Sequence, residues 1–298
     1  MSGNGFTGSS GEAQTYLITL YLRAMESQRP DALIKDERAV ALVERQGDAF
    51  ARIKRLKLSE YEKAALILRS REFDRYAREF LSRRPEAAIV HIGCGLDSRF
   101  ERVDNGLVEW YDLDLPEVIG LRRKLIADGG GRQHLLGCSV CDEAWLAAVD
   151  AHSRRPFLFL AEGVSMYLHE GEVKRLILVL RDRFPGSELI FDAFSPLHIR
   201  IGNLRNSLAG LGIRFSWGLW RGQEIEGWGD GIRLLDEWGY FDSPEPRLAP
   251  IRWMRHIPFA AQAARIYHFS LGASAKWETA RARPSKMWPG TGQSWYNA

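Results

Sequence analysis

The chain has 298 residues, of which 45% are hydrophobic and 27% charged, and its formal net charge is +3. That length holds one large α/β domain or two small ones, and its Lys and Arg residues are spread without the basic block that would grip nucleic acid. No apolar run approaches the ~20 residues of a membrane span, and the Gly/Ser-rich stretch Met1 to Gly11 has no apolar signal core, so a cytoplasmic protein without membrane or nucleic-acid partner is expected.

From about Gln14 to Ser27 the residues Leu17, Leu20, Tyr21, Leu22 and Met25 recur at helical spacing; Arg29-Pro30-Asp31 interrupts, and a second helix is expected from about Asp36 to Arg45. A longer helix, about Ser59 to Ser82, places Ala64, Leu68 and Phe73 on one side and carries the cluster Arg69-Ser70-Arg71-Glu72-Phe73-Asp74. Charge runs usually face solvent, so a functional role requires one of these arginines to turn inward to an anion.

Ala88-Ile89-Val90-His91-Ile92 then runs into Gly93-Cys94-Gly95 and Leu96-Asp97-Ser98-Arg99, which reads as a buried strand, a tight turn and a helix N-terminus. Glycines let the backbone pass close to a ligand, and the N–H groups opening a helix favour acceptors; the plain alternative is a strand that simply bends sharply. Val108–Leu113 is the next strand, and Asp112 and Asp114 fall about 20 residues beyond the glycines, where a carboxylate can accept both hydroxyls of a ribose.

Strand and helix patterns continue to alternate. A helix is expected from Pro116 to Asp128, ended by Gly129-Gly130-Gly131; strands at His134–Cys138, Phe157–Ala161 and Glu188–Phe191 enclose helices at Asp142–Ala151 and about Glu170 to Phe184. Residues 198–228 combine a short helical stretch with Phe215, Trp217, Trp220 and Trp228, which either pack a cap onto the sheet or wall a pocket for a planar substrate. Gly231 to Phe241 and Arg265 to Leu271 are the last strands, the second alternating as an edge or antiparallel strand would; the polar tail from Trp277 to Ala298 is expected to be poorly ordered. The pattern implies an α/β, doubly wound, mostly parallel sheet, with Gly93, Asp114, Glu162 and Asp192 at strand carboxyl ends, where such sheets bind ligands. The expected division is a disordered leader at 1–13, a helical extension at 14–86, a Rossmann-like core at 87–272 with a cap insertion at about 196–230, and a tail at 273–298.

Cys138-Ser139-Val140-Cys141 has CxxC spacing, with His134 nearby, but no second CxxC accompanies it; small buried thiols and no metal are expected. Two cofactors fit a glycine turn followed by a ribose acid: a dinucleotide or S-adenosylmethionine. A dinucleotide site wants a third small residue, and that position is Ser98. Glu162 discriminates better, because an acidic strand end suits the ammonium and sulfonium of the methyl donor, whose carboxylate in turn offers a partner to an inward arginine.

The clusters Arg69–Asp74, Gly93–Arg99, Asp112-Leu113-Asp114-Leu115-Pro116-Glu117-Val118 and Ala161–Leu168 together resemble the leucine carboxyl methyltransferase family, and Leu234–Asp242 resembles its bacterial, polyketide-methylating branch. The resemblance, which extends from about Thr15 to Leu271, implies a class I methyltransferase sheet of seven strands and S-adenosyl-L-methionine as cofactor. It assigns Arg69, with Arg71 as a second candidate, to the donor's carboxylate, and Gly93, Cys94 and Gly95 to the glycine turn. Asp114, with Asp112 and Leu115, falls at the ribose, Glu162 and Gly163 at the Ala-Glu-Gly motif, and Ser139-Val140 where the family carries Asp-Leu at the adenine. Arg23 stands in for the family's N-terminal lysine.

A carboxylate acceptor, with pKa about 4, is ionised at neutral pH and needs no general base. Arg200, Arg205, Arg252 and Arg255, with His198, lie in the segments most suited to hold a small aromatic or polyketide-like acid. The alternatives are a phenolic acceptor with His169, His198 or His256 as base, a peptide C-terminal carboxylate, a nicotinamide oxidoreductase, and a cofactor-binding protein without turnover. Glu162-Gly163-Val164-Ser165 replaces the Asn/Asp-Pro-Pro-aromatic sequence that base amino-group methylation would require. Oligomeric state is not readable from the sequence.

Overall fold

The computed structural model describes residues 15–50, 53–55, 58–126, 130–152, 154–204 and 214–272. The expected leader and tail, and Arg205 in the cap, lie outside them. Three helices come first: α1 (Thr15–Ser27), α2 (Glu37–Arg45) and α3 (Glu60–Arg83). Asp36 caps α2 by accepting from the Ala39 N–H at 2.8 Å. A reciprocal capping box starts α3: Ser59 Oγ accepts from the Glu62 N–H at 3.3 Å, and Glu62 accepts from the Ser59 N–H at 2.8 Å. Leu17, Leu20 and Ala24 of α1 pack on Ala39, Leu42 and Val43 of α2.

The core follows as β1 (Ala88–Ile92), α4 (Arg99–Val103), β2 (Glu109–Asp114), α5 (Pro116–Leu125), β3 (Gln133–Gly137), α6 (Ala144–Asp150), β4 (Phe157–Ala161), α7 (Glu170–Arg183) and β5 (Ser187–Phe194). Then come α8 (Pro196–Leu204), α9 (Gln223–Glu226), β6 (Ile232–Gly239), α10 (Pro258–Ala261) and β7 (Ala264–Leu271). The seven strands stand in the order β3-β2-β1-β4-β5-β7-β6, parallel except for β7, which runs antiparallel to both neighbours. Phe73, Ala77 and Phe80 of α3 pack on one face, over Ile89, Trp110 and Leu158; Trp145, Val173, Ile177 and Leu180 cover the other. Burying both faces is what gives β1 and β4 their unbroken apolar runs.

Several boundaries differ from the sequence expectation. α5 stops at Leu125, short of Asp128, which lies outside the described residues. β5 continues to Phe194 and so carries Asp192 inside the sheet. β7 is antiparallel as expected but is not an edge; it lies between β5 and β6, and the polar residues of its alternation, His268 and Ser270, are buried, His268 bonding Glu188 at 2.8 Å. Strand order reverses at β1/β4, opening a crevice at the carboxyl ends.

Candidate active site

A cavity of about 760 Å³ occupies that crevice, within the roughly 300–1,000 Å³ usual for small-molecule sites. One half lies over β1, β2 and β3, bounded by Gly93, Cys94 and Gly95, by Asp114 and Leu115, and by Cys138, Ser139 and Val140. The other half, toward β4, β5, β7 and β6, is walled by Tyr167, Phe194, Phe215, Phe241, Leu248 and Ile251. Arg69, Glu162 and Gly163 lie where the halves meet, and Tyr16 and Ile18 of α1 line the cavity as well.

The glycine turn is shaped for close approach. Gly93 and Gly95 have φ of +67° and +51°; a Cβ on Gly93 would stand 2.3 Å from Val164 Cγ2, and one on Gly95 would stand 2.8 Å from Tyr16 Cβ. Asp114 Oδ2 accepts from the Gly95 N–H at 2.7 Å and Oδ1 from the Leu115 N–H at 2.8 Å, which fixes the carboxylate and leaves each oxygen a further lone pair. Burial pushes the Asp114 carboxyl up despite those two donors.

Beneath the junction is a buried charge network. Arg69 turns inward from α3, as a functional arginine there had to, donating through Nε to Glu162 at 3.0 Å and through Nη1 to Asp192 at 3.2 Å. Ser70 Oγ donates to the same Glu162 oxygen at 2.8 Å, and Asp192 also accepts from the Gly163 N–H at 2.6 Å. Arg99, without exposure, donates to Asp74 at 2.7 Å, to His91 Nε2 at 2.9 Å and to Glu162 Oε2. His91 Nε2 therefore accepts, and Nδ1 carries the proton toward Asp112, 3.2 Å away. Burial would raise the Glu162 carboxyl, but the Arg99 and Arg69 guanidiniums outweigh it and hold it at about 2. Burial works the other way at Asp192, which is raised despite Arg69 and the Gly163 N–H.

A profile for leucine carboxyl methyltransferase matches residues 16–180. The chain is 32% identical over 268 residues to the tetracenomycin polyketide synthesis O-methyltransferase TcmP of Streptomyces glaucescens, covering 88% of this chain and 97% of the relative. The chain belongs to the leucine carboxyl methyltransferase family. The S-adenosyl-L-methionine-dependent methyltransferase dpfgK of Gibberella zeae is 30% identical, over 76% of this chain and 82% of its own length. A solved structure from Thermobifida fusca shares the fold, with a TM-score of 0.58 at 18% identity over 91% of this chain and 98% of its own. The protein is thus a methyltransferase of the S-adenosyl-L-methionine-dependent class.

As a leucine carboxyl methyltransferase family member, the chain brings Arg69, Gly93, Cys94, Gly95, Asp114, Leu115, Ser139, Val140, Glu162 and Gly163 to one cavity. Two residues assigned to the donor lie elsewhere. Asp112 does not line the cavity: it is completely buried and held by Arg122 at 2.8 Å, the Trp110 indole at 2.9 Å and Gln133 at 2.7 Å; two residues apart, it shares a face of β2 with Asp114 but lies inside the sheet, and only Asp114, the strand's last residue, meets the cavity. Arg71 faces outward from α3 and bonds Glu72 at 3.2 Å, because two residues along a helix from Arg69 is nearly the opposite side. Arg23 does line the cavity, bonded to Asp36 at 2.8 Å and the Leu96 carbonyl at 3.3 Å.

The acceptor arginines are also corrected. Arg200 is exposed on α8, Arg252 donates to the Glu245 carbonyl at 2.7 Å, and Arg255 is exposed and bonded to His256; none of the three lines the cavity, and Arg205 lies outside the described residues. His169 precedes α7, its N–H bonded to Glu172 at 2.7 Å, and does not line the cavity either, whereas His198 does. The tryptophans divide: Phe215 lines the cavity, Trp217 packs on Phe191 and Trp228, and Trp220 is largely exposed. Cys138 and Cys141 are free, and no cluster able to hold a metal occurs among the described residues, where likewise no helix is long and apolar enough to cross a membrane. Sequence reasoning missed Arg99 and His91 as supports of Glu162; the signal was a histidine in an otherwise apolar strand and an arginine opening the next helix.

Proposed function

We propose that this enzyme methylates a carboxylate oxygen of a small aromatic or polyketide-like acid, in the cytoplasm and as part of secondary metabolism, with no nucleic-acid or membrane partner. The observation that carries the reading is the division of one cavity into a glycine-and-carboxylate half and an aromatic half, meeting at Arg69 and Glu162. The residues fit S-adenosyl-L-methionine: the Gly93–Gly95 turn gives room for backbone approach, Asp114 would offer lone pairs to ribose hydroxyls, Ser139 and Val140 would hold the adenine, and Glu162 would supply the negative charge for the ammonium. Arg69, already neutralised by two carboxylates, has its remaining donor capacity for the donor's carboxylate. When bound, the donor supplies an electrophilic methyl on a sulfonium. The chain's contribution is to align acceptor oxygen and methyl and to exclude water, and alignment contributes several kcal/mol, up to roughly 10. Because the carboxylate is already ionised, no side chain has to remove a proton.

His198 in the aromatic half supports a second reading, a phenolic acceptor deprotonated by that imidazole. Incubating the enzyme with S-adenosyl-L-methionine and a panel of aromatic acids and phenols decides between them. Methylated products cleaved by mild alkali are esters and support the carboxylate reading; alkali-stable aryl ethers overturn it.

A further inference from the structure

The acceptor's carboxylate has to be met by some donor, and the cations lining the cavity are already engaged. Arg23 lies between Asp36 at 2.8 Å and Asp97 at 3.7 Å, and Arg69, bonded to Glu162 and Asp192, has its remaining donors assigned above to the carboxylate of the methyl donor. The polar groups near the aromatic half are therefore mainly hydroxyls. Tyr240 stands out among them. It opens the 3₁₀ turn Tyr240–Asp242 at the end of β6, on the far side of the sheet from the glycine turn, and lines the cavity beside Phe241, Leu248 and Ile251. Its ring packs edge-on against Trp238, 5.1 Å between centroids, which fixes its direction. Its hydroxyl makes no hydrogen bond among the described residues, and Arg69, Asp192 and Glu162 are the charged groups that act on it. Burial holds the phenol up, so that it keeps its proton and is a donor.

We propose that the Tyr240 hydroxyl is the acceptor subsite of this enzyme, donating to one oxygen of an aromatic monocarboxylate while the other oxygen attacks the methyl group. The inference rests on the carboxylate reading above and names the group that recognises it. In the transfer, a lone pair of the free carboxylate oxygen forms the O–CH₃ bond as the S–CH₃ bond breaks and its electron pair returns to sulfur; sulfonium and carboxylate charges cancel and no proton moves. A neutral donor suits this step. A guanidinium would hold the carboxylate hardest in the ground state, where its charge is greatest, and that attraction would be lost as the ester forms.

The test is calorimetric titration of the protein, saturated with S-adenosylhomocysteine, with anthracenecarboxylate and with the neutral methyl ester of that acid, using the parent, Y240F and R255A. The expected result is binding of the acid to the parent, weakened roughly 10- to 100-fold by Y240F and unchanged by R255A, with the ester, whose carbonyl oxygen is a weaker acceptor than a carboxylate, weakened less by Y240F and unchanged by R255A. Y240F keeps the ring on Trp238, and unchanged S-adenosylhomocysteine affinity verifies that its site is intact. Equal binding of the acid by parent and Y240F overturns the proposal, as does loss in R255A instead. Weakened S-adenosylhomocysteine binding in Y240F also overturns it, by assigning the hydroxyl to the donor. A parent that binds S-adenosylhomocysteine but not the acid overturns the acceptor class; a parent that binds neither overturns the methyltransferase site itself.

Discussion

Arg99 holds Glu162. The guanidinium comes from the first turn of α4 and is fully buried, and it spans the Glu162 carboxylate at the end of β4 and Asp74 on α3. Removing one partner of a buried ion pair leaves an uncompensated charge, at a cost of about 3–5 kcal/mol. R99M is expected to lose stability of that order in urea denaturation, and R99K to recover part of it, since a lysine supplies the charge without the three-way fork.

Acid should weaken donor binding through Asp114 before it reaches Glu162. The folded Asp114 carboxyl is raised by burial, so the ionised form that accepts ribose hydroxyls is present above that raised value and is lost as pH falls through it. Glu162, held at about 2, stays ionised across the same window. Calorimetry of S-adenosylhomocysteine at stepped pH should show an inflection that D114N abolishes, with affinity at neutral pH reduced roughly 10- to 100-fold in D114N.

Glu162 itself links stability to acid. Its folded pKa lies below its unfolded one, so its contribution is complete above the unfolded value of about 4.3 and is lost as pH falls toward about 2. Thermal unfolding of E162Q should therefore be less pH-dependent than the parent between those limits.

Gly93 cannot accept a side chain. With φ at +67° and Val164 Cγ2 2.3 Å from the ideal Cβ position, G93A should destabilise by more than about 1 kcal/mol and lose S-adenosylhomocysteine binding. Gly106, with φ at +80° but open space around it, is the control: G106A should show backbone strain in the melting temperature and no change in affinity.

Ser139 lines the cavity at the position where the sequence resemblance leads one to expect an aspartate, and its hydroxyl accepts from the Cys141 N–H at 3.2 Å. S139D should tighten S-adenosylhomocysteine by several-fold, because a carboxylate makes a stronger acceptor for the adenine amino group than a hydroxyl does.

Much of this was legible in the sequence, and the reasons are local. Buried parallel strands leave continuous apolar runs, and the residues ending them, Gly93, Asp114 and Glu162, project into the crevice whatever the surrounding loops do. Position in the sheet was not legible for β7, because its insertion between β5 and β6 depends on pairing between distant segments. Nor was the fate of Arg200, Arg252 and Arg255 legible, since spacing does not say which way a surface segment turns its side chains. Tyr240 was hidden inside a run read as strand to Phe241; the strand ends at Gly239, and the following 3₁₀ turn brings the tyrosine to the cavity.

The most direct test of the whole site is a calorimetric titration of the purified protein with S-adenosylhomocysteine, in parallel with D114N and E162Q. Saturable binding by the parent, weakened at least tenfold in each folded variant, is the predicted result. A folded parent that does not bind, or variants that bind as tightly as the parent, would contradict the assignment of this cavity to the methyl donor.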